Sequence, residues 1–73
     1  MKIEIYGTGC TKCKKLFENA CQAAGSAARV VKVDDMQQIV SAGVMTTPAI
    51  AIDGQIKSAG RVLSVDEIRK LIA

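Results

Sequence analysis

Two cysteines three positions apart, Cys10 and Cys13, are the residues of this chain best suited to chemistry. They stand in the run Gly9-Cys10-Thr11-Lys12-Cys13, where an alternating segment gives way to an amphipathic one. The pair therefore falls where a strand hands over to a helix. The first turn of a helix leaves backbone N–H groups unpaired and carries partial positive charge. A thiolate placed there is stabilised, and a thiol pKa falls from ~8.5 toward the range of ~3.5–7.5 found at such positions. Lys12, Lys14 and Lys15 add positive potential beside the pair. The chemistry expected is thiol–disulfide exchange. Cys10, at the exposed start of the helix, is the candidate nucleophile; Cys13, one turn in and on the buried stripe, is the candidate resolving thiol. The Cys10–Cys13 disulfide is then the redox-active group, and no other cofactor is called for. A bridge closing so short a loop adds little stability through chain entropy, so stapling is the weaker explanation.

The competing chemistry is metal or metalloid handling by the same pair. Two sulfur ligands fall short of the four protein ligands of a structural zinc site, and the chain has no histidine. Cys21 lies more than two helical turns beyond Cys13, about 12 Å along the axis, and cannot complete such a site within one monomer. A bridged dimer or transient Cu(I) capture stays open. Cys21 is expected to be a small core hydrophobe on the stripe of Phe17 and Ala24, with regulation by its oxidation as the alternative.

The elements that must position the pair follow from the pattern. Ile3 and Ile5 alternate with Lys2, Glu4 and Tyr6 as in a strand. Gly7-Thr8-Gly9 is a turn. A helix over about 11–25 carries Cys13, Leu16, Phe17, Ala20, Cys21 and Ala24 on one face and stops at Gly25. The β-branched run at 29–33 predicts a second strand. Asp34 or Asp35 can cap a helix over about 36–42, with Met36, Ile39 and Val40 inward. Thr46-Thr47-Pro48 leads into a third strand over 49–52; Asp53-Gly54 signals a hairpin to a fourth over 55–58. Ser64-Val65-Asp66-Glu67 fits a capping box, opening a last helix with Val65, Ile68, Leu71 and Ile72 inward. The order β-α-β-α-β-β-α joins one right-handed parallel unit to one antiparallel hairpin. It predicts an α/β domain over residues 1–73, a four-stranded mixed sheet with helices on both faces.

The totals bound the function. Of 73 residues, 49% are hydrophobic, and net charge is +3 from 10 basic and 7 acidic side chains. That balance is too mild for a nucleic-acid binder, which concentrates basic charge in a dense patch. No run approaches the ~20 apolar residues of a membrane helix, and Lys2 is followed by alternation instead of the apolar stretch of a signal peptide. A cytoplasmic monomer is expected, without nucleic-acid or membrane partners. In that compartment structural disulfides are rare, which favours a catalytic or metal-binding pair. No Gly-x-Gly-x-x-Gly run is present to hold a nicotinamide or flavin nucleotide.

At this point the residues resemble a known family. Cys10-Thr11-Lys12-Cys13 after the first strand, Thr47-Pro48 just before the third, and the order of elements look like the thioredoxin fold. The short length, the run Tyr6-Gly7-Thr8-Gly9-Cys10-Thr11-Lys12-Cys13, and Gly60-Arg61 look most like the small redox-active disulfide proteins of archaea and bacteria. The resemblance spans the whole chain. It implies a disulfide oxidoreductase that reduces protein disulfides and is recharged by a thioredoxin reductase. It implies a cis Thr47-Pro48 bond facing the disulfide, beside a backbone edge where a substrate chain can pair; the plainer reading is that Pro48 merely starts a strand. Gly9, Lys12, Thr47 and Pro48 become the supporting and substrate-contacting residues.

The chain departs from ordinary thioredoxins at Gly9, where they carry Trp, and at Thr11-Lys12, where they carry Gly-Pro. It lacks the Pro-Tyr between the cysteines of glutaredoxins, and Ser58-Ala59-Gly60-Arg61 does not match their glutathione contacts, so glutathione dependence is not expected. By the resemblance, Glu4, six residues before Cys10, is a candidate proton acceptor for the resolving thiol if it faces the space beneath Cys13. The alternative is a solvent-facing strand residue.

Overall fold

The computed structural model describes residues 1–9 and 11–72. Its elements are β1 (Lys2–Tyr6), α1 (Thr11–Ala24), β2 (Arg29–Val33), α2 (Met36–Ser41), β3 (Ala49–Ile52), β4 (Gln55–Ala59) and α3 (Val65–Ile72). The sheet order is β2-β1-β3-β4. β1 pairs in parallel with β2, from Lys2 opposite Arg29 to Tyr6 opposite Val33. It pairs antiparallel with β3, from Ile3 opposite Ile52 to Tyr6 opposite Ala49. The earliest strand in sequence is thus central. This is the four-stranded mixed sheet of a thioredoxin fold.

Alternation along β1 and β3 divides the core into two layers. Ile3, Ile5, Ile50 and Ile52 face α1 and α3, where they meet Leu16, Ala20, Ala24, Leu63 and Ile68. Tyr6, Ala49 and Ala51 face the other way, onto Val33, Val44 and Ile39 of α2. All four residues of β3 are therefore buried, as a strand covered on both faces requires.

Local signals set the boundaries. Asp35 caps α2 by accepting a hydrogen bond from the Gln37 amide at 2.8 Å. The capping box closes α3 from both sides: the Glu67 amide donates to Ser64 Oγ, and the Ser64 amide to Glu67 Oε1, each at 3.1 Å. Asp53 and Gly54 both take positive φ, 50° and 87°, as a tight hairpin turn demands. Asp53 is further tied to the start of β1, accepting from the Lys2 amide at 2.8 Å.

Four inward assignments, spread over the three helices, are corrected. In α2, Ile39 is buried, but Met36 and Val40 are 60% and 66% exposed. A helix of six residues covers the small second layer with one side chain. In α3, Leu71 is 37% exposed while Ile68 is fully buried. In α1, Cys21 is exposed and Asn19 is buried in its stead. Asn19 Nδ2 donates to the Leu63 carbonyl at 2.9 Å. That bond turns the buried stripe of α1 toward α3, and carries Cys21 to its solvent edge.

Candidate active site

The site is built at the end of β1. After Tyr6 the chain passes through Gly7, whose amide donates to the Val33 carbonyl at 3.0 Å, extending the β1–β2 ladder by one step. Gly9 then takes φ +92°, a conformation that favours glycine, before α1 starts at Thr11. Cys10, the expected nucleophile, lies outside the described residues. Cys13 is placed in the first turn of α1 with 1% of its surface exposed. Lys12, Lys14 and Lys15 are all exposed around it.

Gly7 explains how the Cys13 sulfur comes to be buried there. A Cβ at Gly7 would fall on the sulfur and within 2.7 Å of the Cys13 Cβ. The backbone of β1 therefore forms the floor beneath the thiol, and only a residue without a side chain leaves room. In the sequence, Gly7 reads as an ordinary turn residue. The signal that marks it is a glycine at the strand terminus six positions before a helical cysteine, but the contact itself appears only once helix and strand are packed.

The β1–β3 register brings Pro48 to the same place. Tyr6 faces Ala49 across the ladder, so one further step sets Pro48 level with Gly7. The Thr47-Pro48 bond is cis, Pro48 is buried and Thr47 is exposed. The Gly60 amide donates to the Pro48 carbonyl at 2.8 Å. A Cβ at Gly60 would come within 2.9 Å of Thr46 Cγ2, so this loop too is packed against a glycine backbone. Cys13, Gly7 and Pro48 thus gather at one end of the sheet.

Glu4 is not gathered with them. It lies between Ile3 and Ile5 in β1 and so points away from the α1 face. It lies on the same side of β1 as Tyr6, and its carboxylate is 3.9 Å from the Lys2 ammonium. Burial, and then the charge of Glu4, push the Tyr6 phenol above its ordinary range. Among the described residues, no three His, Cys, Asp or Glu side chains converge as a metal site would need. No described helix is long and apolar enough to cross a membrane.

The family of the thioredoxin domain matches residues 1–73. A thioredoxin of Methanothermobacter thermautotrophicus is 45% identical over 76 residues, covering 100% of this chain and 99% of that protein. A thioredoxin of Methanocaldococcus jannaschii is 41% identical over 71 residues, covering 93% of this chain and 81% of that protein. With the sheet, the buried first-turn cysteine and the proline loop level with it, the chain belongs to the thioredoxin family.

Proposed function

We propose that the chain is a thiol–disulfide oxidoreductase that reduces protein disulfides. Cys10 attacks and Cys13 resolves. The Cys10 thiolate attacks one sulfur of a substrate disulfide; that S–S bond breaks, a mixed disulfide forms, and the other substrate sulfur leaves as a thiolate. Cys13 then attacks the Cys10 sulfur and releases the second substrate thiolate. Two electrons pass to the substrate, and the two thiol protons end on its sulfurs. The product is a Cys10–Cys13 disulfide, which a thioredoxin reductase would return to the dithiol. No further cofactor takes part, and the setting is the cytoplasm, with the protein acting as a monomer.

The observation that carries this reading is the burial of Cys13 on the Gly7 backbone at the start of α1. A buried second thiol is shielded from outside disulfides, so it serves the internal step and leaves the outward attack to Cys10. The helix N-terminus and Lys12 favour thiolate at this end of the molecule. Thr47 and Pro48, with Gly9, border the place a substrate chain would occupy.

The test is capture. Cys13→Ser protein incubated with cell extract is expected to hold substrate proteins as mixed disulfides through Cys10, released by dithiothreitol. Absence of such adducts, together with failure of the native chain to reduce insulin with any thioredoxin reductase, would refute the reading.

A further inference from the structure

A groove of about 400 Å³ lies between β4 and α3, away from the two cysteines in sequence. Lys57, Arg61 and Lys70 line it together with Leu63, Leu71 and Glu67. Among the described residues its one carboxylate is already engaged: Glu67 Oε2 accepts from Arg61 at 3.0 Å and Oε1 from the Ser64 amide at 3.1 Å. Those contacts, the Ser64 amide foremost, hold the Glu67 carboxyl below its ordinary range, so it stays charged and spoken for. Among the described residues, neither Lys57 nor Lys70 is ion-paired; the Lys57 ammonium donates to the neutral Gln55 amide oxygen at 3.1 Å. The groove therefore carries an excess of positive charge.

Two irregularities of the fold serve this groove. The β3–β4 register passes from Ile50 opposite Ser58 to Ala51 opposite Ile56, which leaves Lys57 as the extra residue of a β-bulge. In a regular strand Lys57 and Ser58 would face opposite sides; with the bulge both line the groove. Leu71 leaves 37% of its surface exposed here instead of packing inward. Apolar walls among cations fit an amphipathic anion better than a bare inorganic one. The groove also adjoins the candidate site, since Arg61 follows Gly60, whose amide holds the Pro48 carbonyl.

We infer that this groove docks an acidic segment of a protein partner, with carboxylates on Lys57 and Lys70 and an apolar side chain between Leu63 and Leu71. That the partner is a redox partner rests on the proposed function; the docking itself does not.

The experiment is an NMR titration of ¹⁵N-labelled protein with a blocked hexapeptide Glu-Leu-Glu-Glu-Leu-Glu, its Gln-for-Glu counterpart, and inorganic phosphate. The acidic peptide is expected to shift the amides of β4 and α3, and its affinity to fall about tenfold or more in Lys57→Glu/Lys70→Glu protein and with added salt. Three results would overturn the inference: shifts confined to Lys12–Lys15, equal binding of the neutral peptide, or phosphate binding as tightly as the peptide. Insulin reduction driven by dithiothreitol is read in parallel on the same two proteins. Its failure in the native chain would count against the redox reading and leave the docking result standing.

Discussion

The Cys13 sulfur rests where a side chain at position 7 would be, so Gly7 and Cys13 share one space and only one of them can fill it. Strand terminus and helix start are thereby locked at a separation that no larger residue permits.

Replacing Gly7 tests that relationship. Gly7→Ala must displace either the Cys13 side chain or the first turn of α1, and overpacking of this kind costs about 1–3 kcal/mol. In a domain of this size each kcal/mol lowers Tm by roughly 4–8 °C. Calorimetry is expected to show that loss, and alkylation of reduced protein to show a more accessible Cys13. An unchanged Tm with unchanged labelling would mean the floor beneath the sulfur is not closed.

Asn19 offers a second test. Its side-chain amide is buried on the Leu63 carbonyl. Asn19→Ala leaves that carbonyl without its donor, at a cost of about 1–3 kcal/mol. Cys21→Ser, at the exposed position beside it in the helix, is expected to change stability by no more than ~0.5 kcal/mol. Denaturant melts of the two variants should separate clearly.

Tyr6 and Glu4 make a pH prediction. The Tyr6 phenol is raised by burial and by Glu4, so stability associated with it is intact below the ordinary phenol range and declines as pH rises into it. In Glu4→Gln the charge contribution disappears and the phenol titrates at lower pH than in the native chain, while burial keeps part of the elevation. Ultraviolet titration of tyrosinate reads this directly.

Glu67 behaves with the opposite sign. Its carboxyl is depressed by the Ser64 amide and by Arg61, so its contribution is present at neutral pH and is lost as pH falls through its folded-state value. Ser64→Ala removes one arm of the capping box and is expected to cost about 1 kcal/mol, within the ~0.5–2 kcal/mol of such caps. Glu67→Gln should flatten the acid limb of the stability profile, measured by thermal melts from neutral pH downward.

Much of this was legible in the sequence, because alternation and turn chemistry are local. Ile3 and Ile5 alternate cleanly, Asp53-Gly54 can form only a narrow set of turns, and Ser64 with Glu67 cap a helix by spacing alone. The misread positions depend on partners far away. Cys21 and Asn19 both border the apolar stripe of α1, and which one is buried is decided by Leu63, forty-four residues from Asn19. Met36 and Val40 suit a buried helix face, yet the second layer is shallow enough for Ile39 and its neighbours to fill. At the site, the spacing of Cys10 and Cys13 was plain, whereas Gly7 gained its meaning only from the packing of α1 onto β1. Glu4 followed the parity of its strand and faces Tyr6.

The central place of β1 has a consequence for how the chain assembles. Ile3 meets its β3 partner Ile52 only after most of the sequence has been made. Until then β1 can pair on its β2 side alone, with its other edge open and its isoleucines covered in part by α1. Such distant pairing slows closure and leaves an unpaired apolar edge in the nascent chain. The interval before the β3–β4 hairpin docks on β1 is therefore when the folding chain is most exposed to aggregation.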